Sequence, residues 1–244
     1  MTGRRATIGI WMVCALAISA FAAQSASAAG TTAVTCVAGG GSNDFSENHC
    51  KTAQAGGGFG HVAITEQTSI KLAGGESSLR LAFSGINVEF KSMSLSGTGT
   101  LENSLVGGEH VTSGKGVITY EGVTVKAPSG KGCAMAGEQV VTRELAATTA
   151  GQGMGLKFTP AEGEMFAEFE LVGCGPTEAL KGLNGRYIVT GSVIGTPEGA
   201  TTKFTHAGTT AQATLKLRGQ NAGITGALEI EGATGTPIAA TTFT

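Results

Sequence analysis

The sequence predicts an all-β fold, an antiparallel β-sandwich or closed barrel with few or no helices. Three observations carry this. Apolar and polar residues alternate in short runs, the runs recur about every ten to twelve residues between turn residues, and Thr and Val stand where helix formers would. The 40 glycines belong to turns and bulges, and the 41% apolar content is too high for a disordered chain.

Residues 1–28 read as a secretory signal peptide. Arg4 and Arg5 give a basic start, residues 8–21 are apolar, and Ala26-Ser27-Ala28 fits small-residue cleavage. An ordinary secretory route fits better than twin-arginine export. Cys14 lies inside the apolar run, where no lipid anchor would be attached. No second apolar run follows, so no membrane span is expected after signal removal, and the expected location is secreted or extracellular. Residues 29–244, 216 residues by subtraction of 28 from 244, are expected to form a single all-β domain. Without the two signal arginines, 14 basic residues face 18 acidic ones, a net charge of −4 with His neutral. The basic residues are scattered singly among acidic ones, which argues against nucleic acid as a partner.

A first strand is expected over 32–37. The loop 39–50 then holds the only aspartate, Asp44. Its glycine and acidic positions miss the calcium-loop pattern, and the expectation is a helical turn capped by Asn43 or Asp44, with Phe45 and His49 on its inner side. Strands follow at 62–66, 69–72, 78–84, 86–95, 99–106, 116–120 and 123–127. They are separated by Gly74-Gly75, Ser84-Gly85, Gly107-Gly108 and Pro128-Ser129-Gly130. Ile86, Val88 and Phe90 alternate with Asn87, Glu89 and Lys91 as in a half-buried strand. Residues 139–149 read as one long strand, 177–180 as a turn or short helix, and 186–194, 202–206, 210–217 and 226–230 as further strands. No fixed repeat points to a solenoid or propeller.

The stretch 151–174 reads as a β-hairpin. Leu156 and Phe158 begin one strand, and Thr159-Pro160-Ala161-Glu162-Gly163 makes the turn. Met165, Ala167, Phe169 and Leu171 then alternate with Glu164, Glu168 and Glu170.

Cys36, Cys50, Cys133 and Cys174 survive signal removal, an even number in an exported chain, so disulfides are expected. Three pairings are possible. Cys36–Cys50 and Cys133–Cys174 are preferred, the first bracketing a short loop and the second joining strand ends. Loop-closure entropy makes them worth about 3 and about 4 kcal/mol. The cysteine and histidine spacings do not suit zinc, and no metal or cofactor is expected.

Catalytic motifs are missing. There is no Gly-x-Ser-x-Gly. Residues 108–116 imitate a phosphate loop, but have one residue too many between the glycines and no Ser or Thr after Lys115. Gly151, Gly153 and Gly155 lack the strand-to-helix setting of a dinucleotide site. His49, His61, His110 and His206 read as surface or strand residues. Glu162, Glu164, Glu168 and Glu170 could supply a carboxylate pair, but the mature chain keeps no tryptophan for a sugar to pack on, since Trp11 leaves with the signal. They read as a solvated strand face.

Residues 138–145, 151–163 and 183–195 resemble a set of exported, Gly- and Thr-rich bacterial proteins that are uncharacterised. The resemblance implies export and brings no activity, cofactor or catalytic residue. The expected function is that of an exported, non-enzymatic β-domain, a surface-binding or envelope or matrix component with an extracellular partner. The alternative is a lipocalin-like barrel holding a small apolar ligand, or, further off, a secreted hydrolase.

Overall fold

The computed structural model describes residues 31–41, 44–150, 155–206 and 213–242. The signal segment and Asn43 lie outside them. The fold class is the expected one, with nineteen strands and one short helix among the described residues.

The chain starts with β1 (Thr31–Ala38), β2 (Phe59–Ala63), β3 (Thr68–Gly74), β4 (Ser77–Phe83) and β5 (Ile86–Ser92). Two long strands, β6 (Ser94–Val106) and β7 (Glu109–Glu121), form a hairpin whose two-residue turn, Gly107-Gly108, has φ of 63° and 89° at its residues. Only a turn with both central residues left-handed matches the strand twist there, which is why two glycines stand together. β8 (Thr124–Ala127), β9 (Ala134–Met135), β10 (Gln139–Val141), β11 (Leu145–Thr149), β12 (Leu156–Pro160) and β13 (Met165–Val172) follow. Helix α1 (Glu178–Lys181) is capped by Thr177, whose hydroxyl accepts from the Leu180 N–H at 3.3 Å. The last strands are β14 (Gly185–Thr190), β15 (Val193–Glu198), β16 (Thr201–His206), β17 (Lys216–Leu217), β18 (Gln220–Gly232) and β19 (Ile238–Thr242).

Eight strands close a barrel in the order β16, β15, β12, β11, β7, β6, β3, β18, all antiparallel, with β18 pairing back to β16. Leu72, Leu101, Ile118, Leu145, Leu156, Phe158 and Ile230 fill it. A fully buried Leu such as Leu156 contributes roughly 1.5–3 kcal/mol relative to exposure. Facing them inside the wall are Gly97 and Gly99 of β6 and Gly114 and Gly116 of β7. A Cβ added at Gly99 would stand 2.3 Å from the Lys115 carbonyl oxygen, so the wall can bend this tightly only without a side chain.

A second ring shares β18. Its first half pairs with β17 on one edge and β4 on the other; β5 and β8 continue one arm, and β14, β13 and β9 the other. Its core is aromatic. Phe169 stacks on Tyr187 with centroids 5.4 Å apart, and Phe90 meets both rings edge-on at 4.8 and 5.8 Å. The Tyr187 hydroxyl donates to the Leu183 carbonyl at 2.7 Å, which satisfies its polar end in a buried site.

A three-stranded sheet, β19-β1-β2, pairs the first and last strands, with Thr35 opposite Ile238. Asn103 ties it to the barrel. Its Oδ1 accepts from the Ala33 N–H at 3.0 Å, and its Nδ2 donates to the carbonyls of Ala33 and Ile64 at 2.8 and 3.0 Å. The Thr112 hydroxyl donates to the same Oδ1 at 2.9 Å. One amide thus uses both donors and its acceptor on a junction that is largely buried.

Several expectations need correction. The hairpin over 151–174 does not form; its first four residues lie outside the described chain. β12 pairs with β11 and β15, and β13 with β14 and β9, so 161–164 is a corner between the two rings. The reason is that Leu156 and Phe158 fill the barrel while Phe166 and Leu171 belong to the shared hydrophobic core beyond it. A bulge between Met165 and Ala167 also breaks the expected alternation, burying both Phe166 and Ala167. The long strand over 139–149 is two strands on the same partner, β7, interrupted at 142–144. Thr142 turns inward there, and its hydroxyl accepts from the Ile118 N–H at 3.0 Å. Residues 86–95 and 186–194 are each divided between two strands. The described part of loop 39–50 holds no helix. Phe45 bridges to Ala53 and Phe59, and its ring lies 4.7 Å from that of His61, not along His49.

Candidate functional site

Antiparallel strands around a filled core send their charged residues outward, and the candidate residues follow that rule. Glu168 accepts from the Arg186 guanidinium, with the Nε contact at 3.0 Å, and Arg143 approaches to 3.7 Å. The Arg186 hydrogen bond and charge, with the more distant Arg143, hold its carboxyl below the usual range. That makes Glu168 an anchor between strands and a poor proton donor. Glu170 is exposed opposite Arg186, and Glu162 and Glu164 are exposed at the corner before β13.

The four histidines stand on separate elements. His61 of β2 is half-buried against Phe45, and that burial lowers its pKa. His206 of β16 donates through Nε2 to the Ile194 carbonyl at 2.7 Å. His110 is exposed near the tip of the β6–β7 hairpin, and His49 lies in the loop before Cys50. In that loop Glu47 accepts from the backbone N–H groups of Lys51, His49 and Thr52, which lowers its pKa and fixes the turn. Among the described residues no group of three or more His, Cys, Asp or Glu could hold a metal.

The cysteines join as Cys36–Cys50 and Cys133–Cys174, with Cα atoms 5.7 and 4.1 Å apart. Asn184 holds the second bridge in place, accepting from the Cys174 N–H at 2.8 Å and donating to its carbonyl at 3.0 Å. The phosphate-loop imitation at 108–116 is the rising part of β7, so its backbone N–H groups are spent on strand ladders. Of the Gly151, Gly153 and Gly155 set, the first two lie outside the described residues, and Gly155 is wedged against the Gly195 carbonyl.

Interior space is small. A cavity of about 60 Å³ lies between Phe90, Tyr120, Phe166 and Leu215, and one of about 30 Å³ remains inside the barrel. Both are well short of the roughly 300–1,000 Å³ of a small-molecule site. Tyr120 reaches into the larger one, and burial pushes its hydroxyl up to about 12.

The larger concavities are open ones on the outer wall. One, of about 540 Å³, is floored by Thr98, Gly99, Thr100 and Gly116 and flanked by Lys71, Lys115 and Glu144. It lies over the glycine-lined bend described above, where the wall sinks inward because no side chain props it from within. The other, of about 470 Å³, lies where β12 leaves the barrel. Lys157, Lys216 and Glu164 stand around Thr190, Ser192 and Thr214. The lysines of these grooves look like ordinary strand lysines in the sequence; only the strand register brings them together. Lys115 sits 3.9 Å from Glu144, while Lys71, Lys157 and Lys216 make no ion pair among the described residues. Compared with known proteins, the chain matches no family model, no curated protein and no solved structure.

Proposed function

We propose that the chain is an exported, non-catalytic β-domain that acts through its outer wall, as a binding component of the cell envelope or extracellular matrix. The observation that supports this reading is the contrast, among the described residues, between interior cavities of about 60 and about 30 Å³ and two open, hydroxyl-lined grooves of about 540 and 470 Å³ outside. The two disulfides suit an oxidising, extracellular setting. No helix of the described residues is long and apolar enough to cross a membrane. A barrel built to carry an apolar ligand would need an interior an order of magnitude larger than about 30 Å³, so the outer wall is the better place for an activity.

The reading is tested by incubating the purified mature protein with panels of esters, peptides and glycans. No turnover is expected. Turnover that disappears on a single Glu or His substitution would replace the binding reading with a catalytic one.

A further inference from the structure

From the strand register we infer that the outer wall carries a track for an acidic, carboxylate-bearing polysaccharide, with Lys71, Lys115 and Lys157 as its cationic contacts. This rests on the surface-binding reading above and gives its ligand a chemistry.

Lys71 of β3 lies opposite Thr98 of β6, and Thr100, two residues on and on the same face, lies opposite Lys115 of β7. The same step is repeated beyond β7. Lys115 faces Ala146 of β11, and Thr148, again two residues on, faces Lys157 of β12. An outward lysine therefore recurs on every second strand, with an outward threonine strand between, and the row slides by two residues at each step. Neighbouring strands are about 4.8 Å apart, so successive ammonium groups are separated by roughly 10 Å across the ladder, near the length of a disaccharide. The first groove lies under the first step of this row, and the second, where Lys216 joins Lys157, lies at its far end.

Spacing, more than lack of a partner, sets the row apart, since Lys51, Lys126, Lys131 and Arg218 off the row also have no ion pair among the described residues. Lys91, Lys181, Lys203, Arg80, Arg143 and Arg186 each have a carboxylate within 4 Å. On the track only Lys115 does, at 3.9 Å. Exposed cations at a regular spacing, two of the three without an ion pair among the described residues, complement a chain whose negative charges recur at that spacing. The threonine hydroxyls between them can donate to and accept from sugar hydroxyls. Glu144 and Glu164, at the two grooves, accept from sugar hydroxyls as well, but repel a polymer charged at every unit. That favours a spaced carboxylate glycan over a nucleic acid, whose phosphates follow one another without a neutral unit.

The test uses the mature protein and fluorescently labelled hyaluronan, which carries one carboxylate on every second sugar. Neutral dextran of similar length and a single-stranded DNA oligonucleotide serve as comparators. Anisotropy should report binding to hyaluronan that weakens as salt is raised. Replacing the three contacts together, Lys71→Gln, Lys115→Gln and Lys157→Gln, should weaken it about 10-fold or more. The control, Lys51→Gln, Lys126→Gln and Lys131→Gln, changes net charge equally away from the row and should leave binding within about twofold. Equal losses in the two triple variants, equal binding of dextran, tighter binding of DNA, or no binding at low salt would each overturn the track. Probe length is followed by size-exclusion chromatography in the same samples. Absent binding with an intact probe defeats the track alone, whereas binding with a shortened probe supports the track and defeats the non-catalytic reading.

Discussion

The barrel and the second ring close in different ways, although they share a strand. In the barrel every neighbouring pair of strands is joined by a hydrogen-bonded ladder, and glycines on the inner wall let β6 and β7 bend enough to complete the circuit. The second ring has no ladder between β8 and β9. There the gap is spanned by the packing of Phe90 of β5 against Phe169 and Tyr187, while the Cys133–Cys174 bridge locks the end of the β9–β13 pair that forms one lip of it. The difference shows two solutions to one problem. Backbone closure demands small residues where the wall bends, and side-chain closure demands large residues that fill what the backbone leaves open.

Removing an aromatic should therefore be the harshest test of the second ring. Tyr187→Ala is expected to cost about 3–5 kcal/mol by urea unfolding, from lost burial and from the Leu183 carbonyl left without its donor. A cost below about 1 kcal/mol would mean that the aromatic stack does not hold this ring shut. Taking out the bridge with Cys133→Ser and Cys174→Ser should cost about 2–4 kcal/mol. Hydrogen exchange distinguishes the rings here, since amides of β13 and β14 should exchange faster while those of β6 and β7 keep their protection. Uniform acceleration would show that the two rings do not close independently. In the barrel the sensitive change is an addition. Gly99→Ala places a Cβ 2.3 Å from a carbonyl oxygen and should cost about 1–3 kcal/mol, because the wall must shift to accept it. A neutral result would place the bend elsewhere.

The mildest effect is confined to alkaline pH. The folded protein holds Tyr120 up to about 12 against an ordinary 10, because its neutral hydroxyl tolerates burial and its anion does not. A raised folded value means that this contribution is complete below pH 10 and is lost as pH climbs from 10 towards 12. Tyr120→Phe should remove that loss, so the variant should outlast the wild type across this window by circular dichroism. Equal alkaline unfolding of the two proteins would assign the transition to other groups.

Local order was legible in the sequence, and partnership was not. The alternation of Val88 and Phe90 with Glu89 and Lys91 marked β5, and Gly107-Gly108 marked the turn of the β6–β7 hairpin, because both signals are set by residues next to one another. The corner after β12 misled for the same reason. Proline and glycine in 159–163 permit a tight reversal, but whether β13 folds back on β12 depends on which core each apolar face enters. Gly99 and Gly116 open the expected strands 99–106 and 116–120, with Gly97 and Gly114 left outside them, yet all four lie within the two 13-residue strands of the β6–β7 hairpin. The glutamates of β13 were correctly seen to face solvent. The lysine row was invisible, since its members come from strands 44 and 42 residues apart along the chain (115 − 71 and 157 − 115) and meet only through register.

The sharing of β18 also bears on how such a molecule could be altered over generations. Residues 222–225 serve as rails for β4, and residues 224–229 and 229–232 for β16 and β3, so one stretch of gene encodes a wall of both rings. Neither ring could be exchanged as a cassette by recombination, because the incoming segment would bring half of a strand that its neighbour still requires. Divergence would have to proceed by substitution in place, with the inward positions of β18 held by two cores at once.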